Sequence, residues 1–205
     1  MTGLTQEELI RCARQFYPEG FPPEEDDASA AVPAYHRTPE HQRFIATWER
    51  ALEWKEWGSF VEGLRAEFPE HTVGGGTQPF VSACLRCQLY RVEPQPDGNR
   101  RVTRWGAAVS VLAPLYLVYV TTQFWYPPRR ASRPVLELEP RNESRPLADL
   151  LRQKVERVLS CRPFPLALAS VPLQGLRIGQ LNRLRSDPSP TLLDAFFTDD
   201  LANLP

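Results

Sequence analysis

The chain reads as an α+β domain in which an antiparallel β-meander of about four to five strands packs against helices. Three features of the sequence point there. Apolar residues alternate with period two from Phe80 to Tyr90, a charge-free stretch from Trp105 to Pro128 is rich in β-branched and aromatic residues, and turn-forming residues from Pro94 to Asn99 separate the two. Helical periodicity flanks this block on both sides, so helices and strands are segregated along the chain. At 205 residues it is long enough to bury a core without a metal or disulfide staple. The expected organisation is one domain over 1–205, with an irregular Pro- and acid-rich segment at 18–39 and a loop-rich C-terminal tail at 174–205.

Thr5 and Glu8 have the spacing of a capping box, and Leu9, Ile10, Ala13 and Phe16 supply the apolar side of a first helix that ends near Tyr17. From Pro18 to Pro39 there are five prolines and the acidic run Glu24–Asp27, with few large apolar residues, so an irregular surface segment is expected. Thr38 and Pro39 suit the start of a second helix. Turning at 100° per residue puts Phe44, Ile45, Trp48, Ala51 and Leu52 on one face and Trp54, Trp57, Val61, Leu64 and Phe68 on nearly the opposite one. One straight amphipathic helix cannot serve both stripes: either it breaks near Gly58 or it is sandwiched between two layers.

Val73–Pro79 reads as a glycine-rich turn. A half-buried strand follows from Phe80, then a hairpin turn, then strands over Val102–Leu112, Leu115–Tyr126 and Val135–Glu139, the last an edge strand with alternating glutamates. Short turns between consecutive strands favour an antiparallel meander. Ser144 is placed to cap a helix with Pro146 in its first turn and an apolar stripe of Leu147, Leu150, Leu151, Val155, Val158 and Leu159. Leu166–Val171 has the composition of one more strand, and Thr191–Phe197 that of a short capped helix.

The stretch from Trp105 to Pro128 holds 24 residues without a formal charge, bracketed by Arg100, Arg101 and Arg104 and by Arg129, Arg130 and Arg133. A membrane-spanning helix needs about 20 mainly apolar residues, so length alone would allow one. Pro114 divides the run into two strand-length pieces, while Thr121, Thr122 and Gln123 dilute it, and two buried strands are the better reading. A formal net charge of −1 gives no global attraction to nucleic acid or to an anionic membrane, so neither is an expected partner. The basic residues are almost all arginine, a bias that runs along the whole chain and reads as the imprint of GC-rich bacterial coding DNA. Met1–Leu9 carries no basic segment followed by an apolar run, so the expected location is the cytoplasm, with Cys12, Cys84, Cys87 and Cys161 as reduced thiols.

Cys84 and Cys87 have C-x-x-C spacing. An odd separation on a strand sends the two thiols to opposite faces, which neither a disulfide nor one metal ion can use. No metal or other cofactor is expected. His36, His41 and His71 have no zincin spacing, and no nucleophile elbow surrounds a Ser or Cys, so no catalytic residue is assigned. Gly74–Gly76 lacks the lysine and following helix of a phosphate loop. The absence of a catalytic motif favours a non-catalytic bacterial protein-binding module, read as an immunity or antitoxin-like inhibitor of a partner protein. The expected partner is another protein, either a toxin or an assembly subunit. A subunit of a larger assembly, self-association included, is one alternative; another is an enzyme pairing Cys161 or Cys84 with a histidine. The expected binding residues are Trp125, Tyr126, Arg129 and Arg130, because amphipathic aromatics and arginine gather where the apolar strand ends.

Overall fold

Thr5 starts the first helix with a reciprocal cap. Its hydroxyl accepts from the Glu8 N–H at 3.2 Å and its own N–H donates to the Glu8 carboxylate at 2.8 Å, opening α1 (Gln6–Ala13). The computed structural model describes residues 4–21, 32–126, 130–178 and 189–202, so the acidic run Glu24–Asp27 lies outside the described residues. Thr38 caps α2 (Pro39–Leu52) by accepting from the His41 N–H, with Pro39 at the first helical position. The chain then bends at Glu53 and Trp54 and resumes as α3 (Lys55–Glu67).

Gly58 therefore lies inside a helix, and the break falls earlier than expected. The reason lies in the stripes. A glycine lowers helix stability by only about 1 kcal/mol, whereas the apolar face changes between Ala51 and Trp54, and the bend is placed there. Phe44 and Trp48 of α2 enter one core, Phe60 and Leu64 of α3 enter a second, and Trp54 and Trp57 touch both.

Those two cores are the two faces of a single sheet. Strands β1 (Thr72–Gly75), β2 (Cys84–Pro94), β3 (Arg100–Ser110), β4 (Leu115–Tyr126) and β5 (Arg130–Ala131) follow one another as an antiparallel meander. The outer edge of β4 also receives β6 (Val135–Glu137), antiparallel, and β7 (Arg162–Pro163), parallel. One face packs against α3 and α4 (Arg145–Leu159); the other carries α1, α2 and α5 (Leu192–Phe196). The architecture is α+β, with a meander between helices. No helix among the described residues is long and apolar enough to cross a membrane; the charge-free stretch supplies the end of β3 and all of β4.

Several local expectations need correction. The glycines of Val73–Pro79 include a strand rather than a turn alone: β1 pairs Val73 with Leu89 and Gly75 with Cys87. The next strand begins at Cys84, because the N–H groups of Val81 and Ser82 both bond back to the Gln78 carbonyl and Phe80 sits at φ +65°. The first six residues of β2 are buried on both faces, so that strand is not half-buried there. Ser144 occupies the cap position of α4, but its hydroxyl donates to the Arg141 carbonyl at 2.7 Å and caps nothing. Within α4, Ala148 is buried where Leu150 is exposed. Within Leu166–Val171 there is no strand: Leu166–Leu168 forms a short 3-10 helix, with the Leu168 N–H donating to the Pro165 carbonyl at 2.9 Å.

The C-terminal part is more tightly held than a loop-rich tail. Leu192, Phe196 and Phe197 are fully buried behind a Thr191–Asp194 capping box. Leu201 is buried as well, and the Arg86 guanidinium donates to the Asp200 carbonyl at 3.0 Å, so 199–202 packs on the body instead of forming a free docking arm.

Candidate functional site

The helix cover stops part-way along the sheet. Ser144 at the entry to α4 accepts from the Trp105 indole N–H at 2.9 Å, which fixes the start of that helix over the middle of β3. From Trp105 back to Arg100, β3 continues for about 17 Å at ~3.4 Å per residue, with β4 beside it as far as Tyr126. Phe124, Trp125 and Tyr126 at this tip are 36%, 46% and 40% exposed.

The register arranges the charges around them. Arg100 stands opposite Trp125, Arg101 opposite Phe124, and Arg130 opposite Tyr126 on the neighbouring strand. Strand alternation puts Trp125 and Arg100 on one face and Phe124, Tyr126, Arg101 and Arg130 on the other. Tyr126 and Arg130 thus share a face, Trp125 lies on the opposite face of the same strand end, and Arg129 lies outside the described residues. The two arginine clusters do not face each other across the ladder. Arg104 pairs with Thr121 and donates to the Gln123 side chain at 3.0 Å, and partial burial lowers its pKa. Arg101 lies 3.8 Å from Glu143, whereas the exposed Arg100, Arg130 and Arg133 have no carboxylate in ion-pair range among the described residues.

Ser132 fixes the tip, a role that no sequence pattern signalled. Its N–H donates to the Phe124 carbonyl at 2.8 Å, its hydroxyl accepts from the Phe124 N–H at 3.0 Å, and its carbonyl accepts from the Gln123 amide at 3.0 Å. These bonds lock the end of β4 in register, so the aromatic side chains are displayed from an ordered backbone. Arg91 adds a cation over the Trp105 ring at 5.8 Å and pairs with Glu93 at 2.6 Å.

The thiols and imidazoles do not assemble. Cys84 and Cys87 lie in opposite cores, as their spacing requires, and burial pushes their pKa values up to about 11 and about 12. Burial also raises Cys161, which lines a cavity of about 650 Å³ with Trp54, Lys55 and Arg50 and no imidazole. His71 is held elsewhere, edge-on to Phe68 and Trp105, with Nδ1 2.9 Å from Glu70. Cys161 lies at the Tyr116 end of β4 and His71 beside Trp105, opposite Val120; that is about 13 Å of strand between them. His36 and His41 stack at 4.2 Å against Tyr35, and among the described residues neither hydrogen-bonds a thiol. Among the described residues no three His, Cys, Asp or Glu side chains converge as metal ligands. The chain matches no protein-family model, no curated protein and no solved structure.

Proposed function

We propose that this chain is a protein-binding module that captures an acidic partner on the projecting tip of its sheet. One observation carries the reading: Phe124, Trp125 and Tyr126 are exposed in succession beside Arg100 and Arg130, whose charges no described carboxylate neutralises. Trp, Tyr and Arg are the side chains that dominate binding energy at protein interfaces, and uncompensated cations steer acidic partners towards them. The Ser132 clamp lowers the ordering cost of binding, because the strand is held before the partner arrives. Within this class we favour an immunity or antitoxin-like inhibitor, which acts by covering its partner's working surface and needs no chemistry of its own.

The test uses the full-length tagged chain as bait in an extract of its native host, beside Trp125→Ala and an Arg100→Glu, Arg130→Glu double variant. A stoichiometric partner retained by the wild type and released by both variants is expected. Inhibition of that partner's activity on adding the pure chain would then establish the inhibitor role. Recovery of no partner, or equal capture by all three baits, would overturn the reading.

A subunit role is the second reading, favoured by the edge at β1. Thr72–Gly75 ends the sheet with neither charge nor proline, the usual protections of a free edge. The Arg86 carbonyl accepts from Gly76, so Gly74 and Thr72 also bond inward and Val73 and Gly75 present their backbone groups outward. Light scattering decides it: a strict monomer at high concentration removes self-assembly.

A further inference from the structure

A cleft of about 770 Å³ opens beside β6, floored by Thr103 and Thr122 and walled by Glu137, Glu139, Arg101 and Arg141. The two threonines are cross-strand partners, and Thr103 is only 3% exposed. Neither hydroxyl makes a hydrogen bond among the described residues and neither is a sealed, unpartnered atom, so both stay open to the cleft. The charges above them are only loosely paired. Arg101 and Glu143 stand 3.8 Å apart and Arg141 and Glu139 3.9 Å apart, within ion-pair range but beyond hydrogen-bond reach. Glu137 has no cation in range among the described residues.

We infer that this cleft binds a small zwitterion, an amino acid or short peptide, whose carboxylate is taken by Arg101 and whose ammonium is taken by Glu137 and Glu139, over the two threonine hydroxyls. The lining selects this chemistry by sign and polarity. A polyphosphate would meet three carboxylates, and an apolar ligand would strip water from charges it cannot satisfy. A bare divalent cation would need converging ligands that the described residues do not provide. A ligand bearing both signs completes the arginine and glutamate groups together, and the volume is within the range of small-molecule sites. Thr103 supplies directionality, since its hydroxyl both donates and accepts.

The experiment is saturation-transfer NMR on the full chain with L-glutamate, L-lysine, L-arginine, Gly-Glu and Gly-Lys, each beside its N-acetylated and C-amidated form. At least one free probe should bind with a Kd below about 1 mM, and blocking either end should weaken it about tenfold. Thr103→Val should weaken the same probe about tenfold with an unchanged circular dichroism spectrum. Glu137→Gln, at a partly exposed position, should reduce the penalty for N-acetylation, and it carries the test if Thr103→Val perturbs folding. Binding that survives both blocked ends and both variants overturns the inference, as does the absence of binding by every free probe. Trp125→Ala should leave probe binding unchanged, which separates this site from the protein-binding tip.

Discussion

Strands β2, β3 and β4 are covered on both faces at one end and bare at the other. At the inner end Cys84–Leu89, Gly106–Ser110 and Leu115–Thr121 are buried. At the outer end Val92, Arg100, Trp125 and Tyr126 face solvent. Both ends share the same ladder; they differ in cover and in side-chain size. Gly106, Ala107 and Ala108 leave room for aromatic side chains and helices, whereas the outer end carries large side chains that nothing covers. The contrast places the buried core at the inner end, the proposed function places recognition at the outer one, and substitutions at each end can break that division.

The largest effect is expected at Trp48, fully buried on α2 with its indole N–H donating to the Ser82 carbonyl at 2.8 Å. Trp48→Ala should lower unfolding free energy by about 4 kcal/mol in urea titrations. A loss below about 1 kcal/mol would place the stability elsewhere than in the inner core. Next comes Gly106, where an added Cβ would meet the Tyr119 ring at 2.3 to 2.7 Å. Because Tyr119 is fully buried across the ladder, Gly106→Ala should cost about 2 kcal/mol through overpacking. Paired with Tyr119→Leu, the double variant should be more stable than the sum of the single losses by about 1 kcal/mol. Strict additivity would show that the ring and the glycine do not share the space.

Acid should loosen the covered end first. The His41 pKa is lowered to about 4, mainly by burial and secondarily by the adjacent His36, from an ordinary value of 6.5. Between those values the unfolded chain binds the proton and the folded chain does not, so this group leaves stability intact above pH 6.5 and removes it as pH falls towards 4. The ring is partly exposed, so solvent screening reduces the loss to about 1 kcal/mol. His41→Phe, which keeps a ring beside Tyr35 and Phe44 without a titrating nitrogen, should flatten the urea midpoint between pH 7 and pH 4.5. An unchanged slope would assign the acid sensitivity to another group.

Much of this division was legible in the sequence, and the remainder has identifiable causes. Local chemistry was enough for the caps at Thr5, Thr38 and Thr191, the limits of β4 and the separation of Cys84 from Cys87, since each depends on neighbours a few residues away. The strand in Thr72–Gly75 was hidden because its glycines carry no period-two signal and its pairing with β2 is non-local. Burial of β2 on both faces was hidden too, since Arg86 and Gln88 look wet until the Gly76 and Asp200 carbonyls and the Tyr119 hydroxyl receive them. At the candidate site, Trp125, Tyr126 and Arg130 could be read from composition at the end of an apolar run. Phe124 and the Ser132 clamp needed the register, which also sets Arg100 directly opposite Trp125.

The smallest stability effect, and the most decisive for function, is expected at Trp125. It is 46% exposed, its neighbours across the ladder are Arg100 and Ala131, and it belongs to neither buried core. Trp125→Ala should therefore change unfolding free energy by no more than about 0.5 kcal/mol, the range of ordinary surface substitutions. A large aromatic at such a position contributes little to folding, so loss of partner capture without loss of stability would locate its contribution in binding. If Trp125→Ala instead destabilised the fold by about 2 kcal/mol or more, the outer end would be part of the core and the division between the two ends would fail.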